Sequence, residues 1–254
     1  MQTTEKARRY VRNFTQVART ALSKAGIDRT YSKAFAIGFN KTATTSIHAL
    51  FGELGYQARY HDTGWRSKRA HWQHWRGQAF SDGPPQDFRA LDRRYPRSKF
   101  ILNTRDPLEW LDSRCEHIKL LTRSGLHADS GTWRYSQSAV EKWVRQRNSY
   151  HIEVIDYFKG RPRDLLVVNF IRDPEAAEKI AFLLGASGNW KKPFVRSTEV
   201  TRAQGQLKNA EMIEGALRNL SVDESEWNYD IHFPSLGGSS AIPPDTSVFH
   251  SPTI

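Results

Sequence analysis

One cysteine, Cys115, is all that the 254 residues contain. An internal disulfide and a cysteine-based zinc cluster are thereby excluded, and a reducing compartment is expected. Long apolar runs are lacking too. No stretch has the length and hydropathy of a membrane span, and the first residues have no signal-peptide core, so a cytoplasmic protein is expected. Acidic residues are in deficit, 27 against 38 Lys and Arg, for a formal net charge of +11. That sign favours anionic partners without choosing among nucleic acid, nucleotide, acidic glycan and membrane surface. Internal repeats and low-complexity tracts are also missing, and the length fits one principal domain.

What is present is an alternation of short apolar runs with amphipathic stretches. Residues 1–28 space Tyr10, Val11, Phe14, Val17, Ala18, Ala21, Leu22 and Ala25 as one helical stripe, with Lys6, Arg8, Arg9, Arg12, Arg19 and Lys24 opposite. Such a helix either packs across the domain with its basic face in solvent or rests weakly on an anionic membrane surface. The Ala-rich stripe favours the first. Within the main domain, 29–220, strands are expected at Ala34–Ile37, Tyr56–Tyr60, Lys99–Thr104 and Leu165–Phe170. Helices are expected from Thr44 to Leu54, near Phe88–Tyr95, from Leu108 to Ser124, and at Ser136–Phe158, Ala176–Leu184 and Gln206–Leu220. The basic-aromatic stretch Arg66–Gly77 is an acceptor-binding surface, a lid, or an aromatic satellite cluster. Ser81-Asp82-Gly83-Pro84-Pro85 is a turn, and 221–254, rich in Ser, Gly and Pro, is expected to run over the surface or be partly ordered. The pattern predicts an α/β three-layer sandwich with a mostly parallel central sheet.

The chemistry concentrates in AFAIGFNKTATTS, Ala34–Ser46: an apolar strand, a turn at Gly38, then Lys41 and a run of small and hydroxylated residues opening a helix. Unpaired N–H groups at a helix start and the positive end of its dipole form an anion site, which suggests phosphate or sulfate. The loop departs from the GxxxxGK[ST] pattern in having one glycine and an early Lys41. The strand ends LNTR and VVNF lack an acidic residue placed to hold magnesium, which disfavours a metal-dependent ATPase or kinase.

FNKTATTS taken together with KFILNTRDPLEWLDS resembles the sulfotransferases that use 3′-phosphoadenosine 5′-phosphosulfate (PAPS). The resemblance, strong from Lys33 to Ser113, implies a P-loop NTPase-like sulfotransferase fold over 29–220 and sulfuryl transfer to a hydroxyl or amine without metal, leaving 3′-phosphoadenosine 5′-phosphate (PAP). It implies that Asn40, Lys41, Thr42, Ala43, Thr44, Thr45 and Ser46 hold the 5′-phosphosulfate, with Ala43 where the family usually has Gly and Lys41 stabilising the leaving phosphate. Arg105 and Ser113, eight residues apart, correspond to the family's 3′-phosphate pair. Arg105 offers a fixed fork of donors that suits phosphate; its plainer alternative is a salt bridge to Asp106 or a neighbouring helix. The family's late Arg-Lys-Gly loop has no clear counterpart, and Arg202 or Arg196 is the candidate to close over the 3′-phosphate.

An acceptor hydroxyl needs a general base. Asp82 stands where cytosolic members carry a His, and His61 and Asp62, past the second strand, compete for the role; His48 and His117 line or support the site. The basic charge and the Trp residues suit a glycan or another polar small-molecule acceptor, and no nucleic acid is expected as partner. Two rivals stand beside this reading, a P-loop kinase of a small metabolite and a basic nucleic-acid-binding module.

Overall fold

The computed structural model describes residues 11, 14, 18, 21, 33–59, 63–67, 74–75, 77–124, 135–186, 188–193, 207–238 and 241–246. The strand-forming residues are those that can be buried on both faces. β1 (Ala34–Ala36), β2 (Ala58–Arg59), β3 (Ala79–Phe80), β4 (Lys99–Asn103) and β5 (Leu165–Val168) form one sheet in the order β2-β3-β1-β4-β5. β1 pairs in parallel with β3 and with β4, Phe35 lying opposite Phe80 and Phe100. β2 pairs in parallel with β3. Phe100 N–H donates to Asp164 C=O and Thr104 N–H to Val168 C=O, so β4 and β5 also advance in the same sense. A parallel sheet needs crossover connections, and α1 (Thr44–Glu53), α2 (Phe88–Arg94), α3 (Pro107–Arg123), α4 (Gln137–Phe158), α5 (Ala176–Leu183) and α6 (Ala210–Asn219) supply them or pack beside them. The α/β class and the parallel sheet are those expected from the alternation of patterns. β3 is the strand that the pattern did not reveal, because two residues are too few to show a period.

The described residues fall into two units, within Met1–Asn103, Arg161–Leu166 and Pro174–Val195, and within Thr104–Gly160, Val167–Asp173 and Arg196–Ile254. In the first, Phe35, fully buried, stacks at 5.1 Å on Phe80 and 5.4 Å on Phe100, with Trp65 and Tyr95 completing the aromatic cluster. His74 edges onto Phe80 and Tyr95 and donates from Nε2 to the Trp65 carbonyl at 2.6 Å, so these members of the basic-aromatic stretch are packing residues. Lys33 is buried as well, its ammonium donating to the carbonyls of His74 and Gly77 and facing the Tyr95 ring.

In the second unit, α4 buries Val140, Trp143, Val144, Val154 and Phe158 along one face. The Asn209 amide and its backbone N–H donate to buried Asp112, which joins the start of α6 to α3. The expected N-terminal helix lies almost wholly outside the described residues; Val11 and Phe14 are helical and 68% and 78% exposed. Among the described residues no helix is long and apolar enough to cross a membrane.

Candidate functional site

The turn after β1 is held open by its backbone. Gly38 N–H donates to Asn103 Oδ1 at 3.0 Å, and a Cβ on Gly38 would lie 2.0 Å from the Asn103 carbonyl oxygen, so only glycine fits. The Asn103 amide donates in turn to the Thr42 carbonyl (3.2 Å) and to Thr42 Oγ1 (2.5 Å), while Thr42 Oγ1 donates to the Phe39 carbonyl (2.5 Å). One buried carboxamide at the end of β4 thus ties both sides of the loop. Lys41 and Ala43 adopt left-handed backbone, with φ of 72° and 65°. Left-handed residues interspersed in a turn aim successive N–H groups inward as an anion-binding nest. Helix α1 begins at Thr44 with Ala43 as its N-cap, whose methyl makes no side-chain cap. Thr42 and Thr44 are buried; Asn40, Lys41, Ala43, Thr45 and Ser46 are half-buried.

Asp82 follows β3, which places it at the carboxyl end of a strand, where ligands of open α/β sheets bind. It is 7% exposed and has a φ of 104°. The adjoining Gly83, with a φ of 109°, has no room for a side chain: a Cβ there would meet Asn40 Oδ1 at 2.2 Å and Arg66 Nη1 at 2.6 Å. The first unit therefore brings together Asn40 of the loop after β1, the Asp82-Gly83 turn and Arg66. His61, Asp62, Arg196 and Arg202 lie outside the described residues.

In the second unit, Arg105 precedes α3, whose N-cap Asp106 accepts from Glu109 N–H at 3.0 Å and whose first residue is Pro107. Of the two plainer partners expected for Arg105, Asp106 pairs with Arg172 at 2.9 Å, while a helix carboxylate, Glu109 on α3, does pair with Arg105. Arg105 donates from Nε and Nη2 to the same Glu109 oxygen at 3.3 and 3.2 Å, a long, single-oxygen contact where a bidentate partner would use two. Burial raises the Asp106 pKa above the usual carboxylate value, opposed by the Glu109 N–H and by Arg172. Ser113 is half-buried on α3. His48 and His117 are half-buried, on α1 and α3 respectively.

Beneath Arg105 lies a polar cluster that the sequence pattern did not single out. Arg147, 2% exposed, donates from Nη2 to the Arg105 carbonyl (3.1 Å) and to the Asp230 carbonyl (2.5 Å). Burial pushes its pKa down to about 10, although Asp230 and Asp106 oppose the shift. The Asp230 carboxylate accepts from Asn169 Nδ2, Thr246 N–H and Thr246 Oγ1, each at 2.8 Å, and from Thr104 Oγ1 at 3.5 Å. His151 meets the Ile231 carbonyl at 2.6 Å and is held neutral chiefly by burial, then by the charge of Arg147. Polar residues ending buried strands, Asn103 and Thr104 after FIL and Asn169 after LLVV, are the signal that could have exposed these contacts.

Comparison with known proteins adds the following. No characterised protein sequence matches the chain. Among solved structures, one match is a sulfotransferase from Alicyclobacillus acidocaldarius, at 20% identity and a TM-score of 0.44, over 77% of this chain and 98% of that one. Residues 77–165 match the family model described as a sulfotransferase domain, a span that takes in β3, Asp82, β4, Arg105 and Ser113. Over the segment carrying these residues, the chain is thus similar to a sulfotransferase domain.

Proposed function

We propose that the chain transfers a sulfuryl group from PAPS to a hydroxyl or amine of a polar acceptor such as a glycan or small metabolite. The observation that carries the donor assignment is the loop Gly38–Ser46, an anion cradle made by left-handed backbone at Lys41 and Ala43 and tied at both sides by Asn103. The residues suit the group: first-turn N–H groups and hydroxyls of Thr44–Ser46 take the 5′-phosphate end of the phosphosulfate, and Arg105 with Ser113 takes the 3′-phosphate.

PAPS would supply an activated sulfuryl group, its S–O bond to the 5′-phosphate breaking as a new S–O bond to an acceptor hydroxyl, or S–N bond to an acceptor amine, forms. The Lys41 ammonium neutralises charge that gathers on the departing phosphate oxygen. Asp82 accepts the acceptor's proton; it is fixed by its turn at the end of β3 and buried enough to be shielded from water. As in phosphoryl transfer, the remaining contribution of the protein is positioning.

A thermal-shift titration with PAP, ADP and AMP tests the donor. PAP is expected to stabilise the protein selectively, and Arg105→Ala to remove most of that selectivity. Equal stabilisation by AMP or ADP would refute the assignment of a second phosphate to Arg105.

A further inference from the structure

The donor assignment leaves Arg66 without a role, although the fold takes trouble to place it. Arg66 ends the short 3₁₀ helix Thr63–Arg66. The residue before it, Trp65, is fully buried, donates its indole N–H to the Ser81 carbonyl at 3.0 Å and packs on Phe35 and Phe80. Arg66 itself accepts the Gln86 N–H on its carbonyl at 2.9 Å. The Trp65-Arg66 pair is thus anchored to both sides of the Ser81–Gln86 turn, through the Trp65 indole and the Arg66 carbonyl. The side chain lies back against that turn, with Nη1 2.6 Å from the point where a Gly83 Cβ would be. Asn40 Oδ1, from the donor loop, faces the same point at 2.2 Å. Glycine at position 83 is what makes room for both.

Arg66 is half-buried, and among the described residues its guanidinium makes no hydrogen bond or ion pair. A guanidinium withdrawn from water and left unmatched is costly, and a ligand oxyanion relieves that cost. Neighbouring groups narrow the chemistry. Asp82 adjoins Gly83 and Lys41 follows Asn40, so the place joins the candidate base to the candidate leaving-group cation along the chain. A fork of donors fixed there suits a planar or tetrahedral oxyanion, carboxylate or sulfonate.

We propose that Arg66, laid over the Asp82-Gly83 turn beside Asn40, is a third oxyanion site of this protein, additional to those for the two phosphate ends of the donor. It takes either the sulfonate being transferred or an acidic group of the acceptor, the shared chemistry being an oxyanion held within reach of the base. The proposal rests on the PAPS reading for the identity of the other two sites, and not for its own existence.

The test is a titration with inorganic sulfate, read as thermal shift, with and without saturating PAP, on wild type, Arg66→Ala, Arg66→Lys and the charge control Arg123→Ala. PAP fills the two phosphate sites, so sulfate in its presence reads the third. Wild type and Arg123→Ala are expected to respond alike; Arg66→Ala is expected to need about tenfold more sulfate or more, with Arg66→Lys between. PAP affinity is expected to stay within about twofold in all four. A fall in the PAPS-over-PAP preference in Arg66→Ala assigns the site to the sulfonate; an unchanged preference with sulfate binding retained beside PAPS assigns it to the acceptor. Equal sulfate response in wild type and Arg66→Ala, or a parallel loss of PAP binding, overturns the proposal. Failure of PAP to bind wild type at all refutes the donor reading alone, since the sulfate arm without PAP still reports on Arg66. Arg66→Lys, which keeps the charge and most of the stem, covers the case in which Arg66→Ala does not fold.

Discussion

Ala43→Gly gives the most direct reading of whether the donor loop is built as described. Ala43 holds φ at 65°, a conformation that crowds its Cβ against the following carbonyl. For a non-glycine residue this costs about 1–2 kcal/mol. Glycine removes that cost but loosens the unfolded chain, which returns about 0.4–1 kcal/mol. Ala43 makes no side-chain cap bond and its methyl is half-buried, so no large packing loss enters. The net expectation is a gain of about 1 kcal/mol or somewhat less, read as a rise of about 2–4 °C in Tm for a chain of this size. The assay is thermal unfolding by circular dichroism, run beside PAP titration, with PAP affinity expected to be unchanged or tighter. Gly38→Ala provides the opposite sign, because its new methyl would stand 2.0 Å from the Asn103 carbonyl oxygen and must push the loop off β4. If Ala43→Gly lowers Tm, or if Gly38→Ala is neutral, the alternation of left-handed residues around a fixed glycine is not what shapes this loop.

Other expectations follow from single contacts. Glu109→Gln weakens the partner now spanning the Arg105 fork and is expected to tighten PAP by up to about fivefold, measured by calorimetry at low salt; unchanged or weaker binding would show that Glu109 does not compete with a phosphate. Asp230→Ala strips a fully buried carboxylate from three close donors and from Arg147, and should cost about 3–5 kcal/mol in urea unfolding, against much less for Asp230→Asn. Stability should also depend on pH through His151 and His232, whose folded pKa values lie below the ordinary value chiefly because of burial. A depressed value leaves the unfolded chain holding more protons, so their contribution is intact above about pH 6.5 and drains away as pH falls below it. His151→Gln is expected to flatten that slope between pH 7 and 5; a slope equal to wild type would place its origin elsewhere.

The long elements were legible because their residues repeat a signal. KFILN announced β4 by continuous apolarity, and the α4 and α5 stripes came within a residue or two of their observed ends. The donor loop was legible as a motif, but the reason an Ala serves where glycine is usual appears only in its φ. Asp82 was named without the strand that places it, since Ala79–Phe80 is too short to carry a pattern. Arg66 read as one more basic residue in an aperiodic stretch; its position depends on Trp65 docking into a cluster assembled from β1, β3 and β4. Asp230 was hidden for the same reason, its four donors coming from residues 104, 169 and 246.

The placement of β1 between β3 and β4 sets an order of events during synthesis. The Gly38–Ser46 turn emerges early, yet the carboxamide that ties it, Asn103, is 65 residues further along from Gly38. A nascent or truncated chain ending before β4 holds the residues of the cradle but not the tie, and closing so long a loop carries its entropic cost before any ligand is bound. Anion capture by this loop should therefore begin only once β4 has left the ribosome, which would make PAP protection of stalled chains of graded length a clock for the folding of the first unit.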